Sequence, residues 1–257
     1  MAKTVADVMK LVKENEVKFV DFRFTDTRGK QHHTTVPVSH FDEDKFISGH
    51  AFDGSSIAGW KGIEASDMQL IPDPNSANID PFFEETTLIL TCDVIEPSDG
   101  KSYDRDPRSV AKRAEAYLKA SGLGDTAFFG PEPEFFIFDG VRWSTEPNNT
   151  FYEIEEYEAP WNTGAKLEGG NRGHRPTVKG GYFPVPPVDS TQDMRAEMSL
   201  ILESLGIPVE VFHHEVAGAG QNEIGTRFST LVERADWTML QKYVIHNVAH
   251  AYGKTAT

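Results

Sequence analysis

Cysteine is almost missing from this sequence: Cys92 is the single one among 257 residues. One thiol cannot form an intramolecular disulfide, and cysteine-ligated zinc and iron–sulfur sites are excluded as well. We expect Cys92 to be a small buried apolar side chain in the run 87–92, as free cysteines usually are. This cysteine usage fits a reducing compartment and therefore predicts a cytoplasmic protein.

Long apolar runs and an excess of basic charge are also absent. No stretch reaches the ~18 apolar residues that a membrane span needs, and the charged N-terminal region has no apolar signal core. Basic residues number 25 against 40 acidic ones, which gives a net charge of −15. Nucleic acid and anionic membranes are therefore not expected partners, because phosphate binding needs a basic surface. The acidic excess leaves carboxylates available for a hard divalent cation.

What is present is a globular composition, with 39% apolar and 25% charged residues in a chain long enough for one or two domains. The patterns of the first part predict a helix over 5–14 with Thr4 as N-cap, a β-hairpin of 17–24 and 31–38, an irregular region over 40–80, and a strand over 86–95. A strong breaker at 96–100 follows. We therefore place a boundary near residue 103 and expect domains over 1–103 and 104–257.

The second part opens with a helix that has Asp106 as N-cap and ends at Gly122. Its apolar stripe consists of Val110, Ala111, Ala114, Tyr117 and Leu118. The later elements are predicted to be a strand over 127–138, a long loop over 140–180, a helix from a Ser190 or Asp193 cap to Gly206, paired strands over 208–217 and 222–228, and a helix over 235–252. Strands and helices are partly segregated, which is typical of an α+β fold.

Two glutamates stand out on the predicted strand 127–138. Residues two apart on a strand point to the same face, so Glu132 and Glu134 would lie side by side among four phenylalanines. Such a pair repels and is poorly solvated, which raises the pKa of at least one carboxyl unless a cation compensates. A solvated edge strand is the open alternative.

A second pair of glutamates flanks a glycine-rich connection. A hairpin would bring Glu215 and Glu223 together on one face, whereas Glu210 has the opposite strand parity and would face elsewhere. With Glu132 and Glu134 they give four acids on neighbouring strands, a set suited to Mg²⁺ or Mn²⁺. The alternative that these are unrelated surface acids remains open at this point.

The histidines carry a weaker signal. His213 and His214 are adjacent, so only one of them shares a strand face with Glu215. His246 and His250 have the helical spacing of zinc-protease ligands, but Asn247 stands where the catalytic glutamate belongs, so we expect both to be structural.

Two loops are further candidates. The glycine-rich loop around 169–181 could hold an anion through Arg172, His174, Arg175 and Lys179, or could be a solvated loop. The string 52–57, which contains Asp53, has the composition of an Asx turn, although an exposed Phe beside an acid is also a functional candidate.

At these residues the sequence strongly resembles the N-terminal half of bacterial type I glutamine synthetase. The matching strings are 17–21, 52–56 (Phe-Asp-Gly-Ser-Ser), 103–108, 130–135 (Gly-Pro-Glu-Pro-Glu-Phe), 173–176, 179–184, and 214–215 with 220–223. The resemblance implies a β-grasp domain followed by the first part of a catalytic α/β domain with a curved antiparallel sheet. It also implies a homo-oligomer of two stacked six-membered rings, with active sites between neighbouring subunits.

The resemblance further implies the reaction and the residues that serve it. L-glutamate, ammonia and ATP would be the substrates, with γ-glutamyl phosphate as intermediate and two Mg²⁺ or Mn²⁺ ions per site. Glu134, Glu215 and Glu223 would hold one ion and Glu132 would be a ligand of the second. Glu210 and Phe228 match nucleotide-contacting positions, and Asp53 and Tyr182 match the ammonium pocket.

The chain stops at Thr257, where the family continues for roughly another half. That remainder would supply the other ligands of the second ion, so we expect this chain to be a fragment that is inactive alone. Three alternatives stay open: a ligase that joins glutamate to another amine, a non-catalytic structural or regulatory paralogue, and a simple metal-binding module.

Overall fold

The computed structural model describes residues 2–164, 166 and 173–257. The chain divides into two compact units, the first made of residues up to 129 with 230–236, the second of 130–229 with 237–257. The helices are α1 (Val5–Glu14), α2 (Lys45–Ser48), α3 (Pro107–Ser121), α4 (Gln192–Ser204) and α5 (Leu231–Ala251). Across the described residues, none of these helices has the length and apolar character to cross a membrane.

The strands fall into three groups. Those of the first unit's sheet are β1 (Phe19–Thr25), β2 (Gln31–Pro37), β3 (His50–Asp53), β4 (Asp67–Pro72), β5 (Asn78–Ile79) and β6 (Thr87–Ile95). Those of the second unit are β8 (Glu134–Phe138), β9 (Gly140–Glu146), β10 (Asn149–Glu155), β11 (Val209–His214), β12 (Gln221–Thr226) and β14 (Thr255–Ala256). The remaining two are the short strands β7 (Phe128–Phe129) and β13 (Ser229–Thr230).

The first unit is a mixed sheet with a helix against it. The strand order is β2-β1-β6-β4-β3, with β5 beside β6, and β1 runs parallel to β6 while the other pairs are antiparallel. The predicted Thr4 cap of α1 is confirmed as a capping box with Asp7, and Val8 of that helix is buried in the sheet's core. Cys92 is buried in the same core, as predicted. This is the β-grasp arrangement that the resemblance implies.

The prediction of an irregular region over 40–80 is wrong, because it contains α2, β3, β4 and β5. Strand β4 alternates in burial, with Met68, Leu70 and Pro72 facing inward. The strands are short and bounded by Asp, Gly and Pro, so the turn residues dominate the composition of the region and hide the alternation.

The ends of α3 are as predicted, but its apolar stripe is not buried. Asp106 accepts hydrogen bonds from the backbone N–H groups of Arg108 and Ser109, and Gly122 ends the helix in the left-handed conformation. Tyr117 is 76% exposed and Val110 is 48% exposed. The buried residues of the helix are instead Arg108 and Ser109, because the Arg108 guanidinium is held by surrounding carboxylates.

The second unit is built on an antiparallel sheet of strand order β11-β12-β8-β14, with α4 in contact with β11. Phe135, Ile137, Met198, Leu202 and Ile224 are buried in this unit. The paired strands predicted over 208–217 and 222–228 are present as the shorter β11 and β12. Helix α4 has Thr191 as its N-cap, without a side-chain hydrogen bond, so the predicted Ser190 or Asp193 cap is wrong. Helix α5 begins at Leu231, four residues earlier than predicted.

The long loop predicted over 140–180 is wrong in its first part, where β9 and β10 form a hairpin. Trp143 lies opposite Tyr152 in this hairpin, and the two side chains are 68% and 77% exposed. A hairpin exposed on both faces lacks the alternation between apolar and polar residues from which strands are usually predicted. Residues 165 and 167–172 of the predicted loop lie outside the described residues.

The single strand predicted over 127–138 is broken. Residues 130–133 lie in no strand and separate β7 from β8, so Glu132 lies outside a strand while Glu134 begins β8. Pro131 and Pro133 explain the break, because proline has no N–H to donate to a sheet.

Candidate metal centre

Three side chains stand in a row across the central strand of the second unit's sheet. Glu223 on β12 lies directly opposite Glu134 on β8 and directly opposite His213 on β11. Directly opposed residues of antiparallel strands point to the same face of the sheet. Glu215 follows β11 two residues after His213, which returns its side chain to that face. The fold therefore brings these four side chains to one surface.

The ligand atoms of His213, Glu215 and Glu223 all lie within 4.8 Å of one another. The distance from His213 Nδ1 to Glu215 Oε1 is 3.4 Å, and that from His213 Nε2 to Glu223 Oε2 is 3.6 Å. Glu215 and Glu223 are 7% and 9% exposed. Two nearly buried carboxylates at this spacing, with the third on the neighbouring strand, fit a hard divalent ion that takes oxygen ligands. The imidazole makes Mn²⁺ a better fit than Mg²⁺.

The pKa of the Glu223 carboxyl is raised, which indicates that its ionised form lacks a compensating positive charge. Burial raises the pKa of the Glu223 carboxyl above its usual value, whereas the nearby His213 lowers it. The charges of Glu132, Glu215 and Glu134 raise the pKa of Glu223 further. A bound divalent ion would reverse the balance, because an opposite charge favours the ionised carboxylate.

Glu132 and Glu134 are both exposed, so the expectation that neighbouring phenylalanines leave them poorly solvated is wrong. Phe128 and Phe129 are themselves 64% and 41% exposed. Glu134 Oε2 accepts a hydrogen bond from Gln221 Nε2, which fixes it toward β12. The broken strand places Glu132 in the segment between two prolines rather than beside Glu134 on a strand.

An aromatic pair borders the acidic row. The rings of Tyr182 and Phe183 stack at 3.8 Å between centroids, and His213 presents its ring edge-on to both, at 5.8 and 4.7 Å. Both aromatic side chains are more than half exposed. Tyr182 therefore lies at the side of the metal centre, in contact with His213.

His213 is the residue that our interpretation of the sequence left without a role. Its signal was present, because His213 precedes Glu215 by two residues and so shares its strand face. The neighbouring His214 points the other way and is buried.

The remaining predicted residues lie apart from this group. Glu210 is exposed, next to a register shift in β11, and borders a cavity of about 350 Å³ between α4 and β11. Phe228 is 53% exposed and follows the end of β12. Asp53 belongs to the first unit, where its carboxylate accepts hydrogen bonds from Ser55 and Ser56. The Ser55 hydrogen bonds lower the pKa of Asp53.

One basic residue of the predicted anion loop, Arg175, makes structural contacts. Arg175 donates to the carbonyl oxygens of Ala159, His174 and Asn162. Its guanidinium therefore serves the loop itself, and Arg172 lies outside the described residues.

Comparison with known sequences assigns this architecture to a family. The sequence model described as glutamine synthetase, catalytic domain, matches residues 104–257, and the model described as glutamine synthetase, beta-Grasp domain, matches residues 16–97. The chain belongs to the glutamine synthetase family. The family resemblance and the α+β fold predicted from the sequence are thereby confirmed.

Individual members of the glutamine synthetase family show the degree of similarity. The chain is 59% identical over 254 residues to the glutamine synthetase of Vibrio cholerae, which covers 99% of this chain and 54% of that protein. It is 77% identical over 257 residues to a 3-hydroxylaminophenol mutase of Cupriavidus pinatubonensis, covering 100% of this chain and 55% of the mutase. The chain thus spans about half the length of these relatives.

A solved structure agrees with the family assignment. The cryo-EM structure of Plasmodium falciparum glutamine synthetase superposes with a TM-score of 0.89 at 26% identity, covering all of this chain and 51% of that one. At this TM-score the fold of both units is that of the first half of a glutamine synthetase.

Proposed function

We propose that this chain provides part of the machinery for the ATP-dependent ligation of ammonia to the γ-carboxylate of L-glutamate. The observation that carries the proposal is the convergence of Glu134, Glu215 and Glu223 on one face of the sheet. In this proposal the three acids hold one Mg²⁺ or Mn²⁺ ion, and His213 adjoins them.

The other site residues are proposed from the family motifs. Glu132 is a ligand of a second ion, and its charge already acts on Glu223. Glu210 and Phe228 contact the nucleotide, and their exposure leaves them accessible for that contact. Asp53 and Tyr182 belong to the ammonium pocket of a cytoplasmic homo-oligomer of two six-membered rings, in which Asp53 is supplied by a neighbouring subunit.

The chemistry explains why these groups are needed. The γ-carboxylate of glutamate is a poor electrophile, and its conversion by ATP into γ-glutamyl phosphate creates a leaving group. A bound divalent ion supplies charge neutralisation for the transferring phosphoryl group. Ammonium is not nucleophilic, so a carboxylate must concentrate the cation and accept its proton. The hydrogen bonds from Ser55 lower the pKa of Asp53, which favours the anionic form that attracts an ammonium cation.

The direct test of the metal centre is titration of the 257-residue chain with Mn²⁺, monitored by electron paramagnetic resonance of the free ion. We expect one site that is lost in Glu223→Gln and retained in Glu210→Gln, which alters an exposed acid outside the group. An unchanged titration in Glu223→Gln would refute the metal centre.

A second experiment measures glutamine formation by chain 1–257 alone. The product should not exceed the blank, because among the described residues Glu132 is the one acid proposed as a ligand of the second ion.

A second candidate is an isomerase acting on aromatic hydroxylamines. Two observations favour it: the 77% identity to a 3-hydroxylaminophenol mutase, and the exposed Tyr182–Phe183 stack beside His213 and the acids. An aryl ring can stack on such a pair while neighbouring acidic groups transfer protons. Incubation with 3-hydroxylaminophenol without ATP, followed by chromatography of the products, tests this activity. Unchanged substrate would exclude it for this chain.

A further inference from the structure

A buried charged pair lies behind the metal centre, on the side of β11 opposite to His213. His214 is 1% exposed and Glu158 is 0% exposed, and His214 Nε2 lies 2.7 Å from Glu158 Oε2. The other ring nitrogen, Nδ1, lies 2.6 Å from the carbonyl oxygen of Gly181 and 3.0 Å from that of Glu215. Since both nitrogens face acceptors, the ring donates on both sides.

The Glu158 carboxylate accepts hydrogen bonds from three separate segments of the chain. Its Oε1 accepts from the backbone N–H and the hydroxyl of Ser190, both at 2.7 Å. Its Oε2 accepts from the backbone N–H of Gly220 at 3.1 Å, in addition to His214. Four donors thus satisfy one buried carboxylate, which is the condition under which a buried charge is tolerated.

The backbone around this pair is closely packed. Segment 179–183 runs beside the turn after β11, with backbone hydrogen bonds from Lys179 to Ala217 (3.0 Å) and from Phe183 to His214 (3.5 Å). A Cβ atom on Gly181 would lie 2.5 Å from the carbonyl oxygen of Glu215. The main chain that carries Glu215 therefore touches the main chain that carries Tyr182.

We propose that Glu158 and His214 are positioning residues, which act as a buried clamp that holds the turn carrying Glu215 against the segment carrying Tyr182 and Phe183. The inference rests on the proposed metal function of Glu215. Among the described residues, the hydrogen bonds accepted by the Glu158 carboxylate come from Ser190, His214 and Gly220 rather than from the proposed metal ligands. Glu158 acts through His214 and through the Gly220 N–H, at the two ends of the turn that separates Glu215 from Glu223.

The test compares Mn²⁺ binding and local hydrogen exchange in the 257-residue chain and in Glu158→Gln. The amide group of Gln would present N–H groups to donors at this position, so the clamp should open while the rest of the sheet remains. We expect Mn²⁺ binding weaker by about tenfold or more, as for other residues that orient metal ligands. Amide exchange over 181–183 and 215–220 should accelerate at a temperature where circular dichroism shows the variant folded.

The matched control is Asp21→Asn in the other unit. Asp21 is also a fully buried carboxylate, and it accepts from His33, Thr35 and Arg23. This variant should lose stability yet keep Mn²⁺ binding within about twofold. If Glu158→Gln does not fold, His214→Gln serves as the second variant. It retains a neutral donor toward Glu158 but loses the contacts of Nδ1, so its Mn²⁺ binding should be weakened to the same extent.

The outcomes separate the two proposals. If the parent chain binds Mn²⁺ and the folded clamp variant binds it equally well, the positioning role is wrong and the metal centre stands. If the parent chain binds no Mn²⁺, the proposed metal centre is wrong, and the clamp is then tested by hydrogen exchange alone. Unchanged amide exchange over 181–183 and 215–220 in the variant would overturn the clamp. Accelerated exchange confined to these two segments would support it.

Discussion

Glu223 and Glu134 lie directly opposite each other on β12 and β8, so two acids share one face of the sheet with no basic side chain between them in the strand register. In a metal-free protein such a pair is unfavourable, and the raised pKa of the buried Glu223 carboxyl reflects burial and the surrounding acids. Without a cation the pair should lower the stability of the folded state, and under the proposed function a bound divalent ion would relieve that repulsion.

Replacing Glu223 by Gln should therefore have opposite effects on stability and on metal response. Without metal, the thermal midpoint should stay equal or rise, because a repelled carboxylate is removed. With Mn²⁺, the parent chain should gain stability as the ion binds the folded state, whereas Glu223→Gln should gain much less. Differential scanning calorimetry with and without MnCl₂ measures both effects. A metal-dependent gain equal to that of the parent would contradict the assignment.

The buried Arg108 predicts a large effect on the stability of the first unit. Its guanidinium donates to Asp73 at 2.6 Å and to Asp236 at 2.9 Å, and it also pairs with Asp93. Arg108→Met would leave three partly buried carboxylates without their shared counter-charge, so we expect a loss of about 3–5 kcal/mol in the free energy of unfolding. Urea denaturation followed by circular dichroism measures the loss.

An exposed ion pair provides the control for Arg108. Lys10 and Glu14 are 3.7 Å apart on the surface of α1, so Lys10→Met should cost less than about 0.5 kcal/mol. Equal losses from both substitutions would show that the carboxylates around Arg108 are solvated rather than dependent on it.

The proximity of Glu215 and Glu223 could be predicted from the sequence because strand parity is a local property. Glu215 and Glu223 flank a glycine-rich turn, and a hairpin there brings them together whatever the rest of the chain does. Parity also predicts that Glu210 faces elsewhere, but in the structure Glu210 lies at the register shift between Val209 and Val211, where strict parity no longer applies. His213 obeys the identical rule, so its omission was an error of interpretation rather than a gap in the sequence signal.

Other features could not be predicted because they depend on distant contacts. Glu158 and His214 are 56 residues apart, and no spacing rule joins them. The β9–β10 hairpin is exposed on both faces, so burial leaves no periodic trace in its sequence. The exposure of Glu132 accompanies the break at residues 130–133, where two prolines interrupt the predicted strand.

The buried Glu156 predicts a pH-dependent stability. Burial, together with the nearby charge of Glu158, raises the pKa of this carboxyl from 4.5 to about 8. The folded state therefore holds a proton that the unfolded state releases above pH 4.5, so the stabilising contribution is complete below pH 4.5 and is lost as pH rises through 8. A tenfold change in proton affinity corresponds to about 1.4 kcal/mol, which limits the total loss to roughly 5 kcal/mol.

Glu156→Gln should remove that loss, since the amide imitates the protonated carboxyl. The difference in unfolding free energy between the variant and the parent should grow in favour of the variant from pH 5 to pH 8.5, measured in urea. Glu153→Gln, an exposed acid on the neighbouring hairpin, should show no such trend. A constant difference across this range would mean that Glu156 is ionised in the folded state at neutral pH.

Replacing Gly220 by Ala should lower stability both by steric overlap and by the strain of a left-handed backbone, and the same substitution at Gly29 measures the backbone strain alone. Gly220 has φ of +71°, and a Cβ atom there would lie 2.4 Å from the carbonyl oxygen of Ile137 and 2.9 Å from Glu156 Cγ. Gly29 has φ of +80°, and a Cβ atom placed there would have no other atom within 4 Å.

Gly29→Ala should cost about 1 kcal/mol in the free energy of unfolding through the left-handed backbone alone. Gly220→Ala should cost several kcal/mol more in the free energy of unfolding, because backbone and a buried side chain must shift as well. It should also weaken Mn²⁺ binding, since Gly220 donates to Glu158 and precedes the strand that carries Glu223. Equal costs for the two substitutions would show that the turn between Glu215 and Glu223 can yield without disturbing the acids it joins.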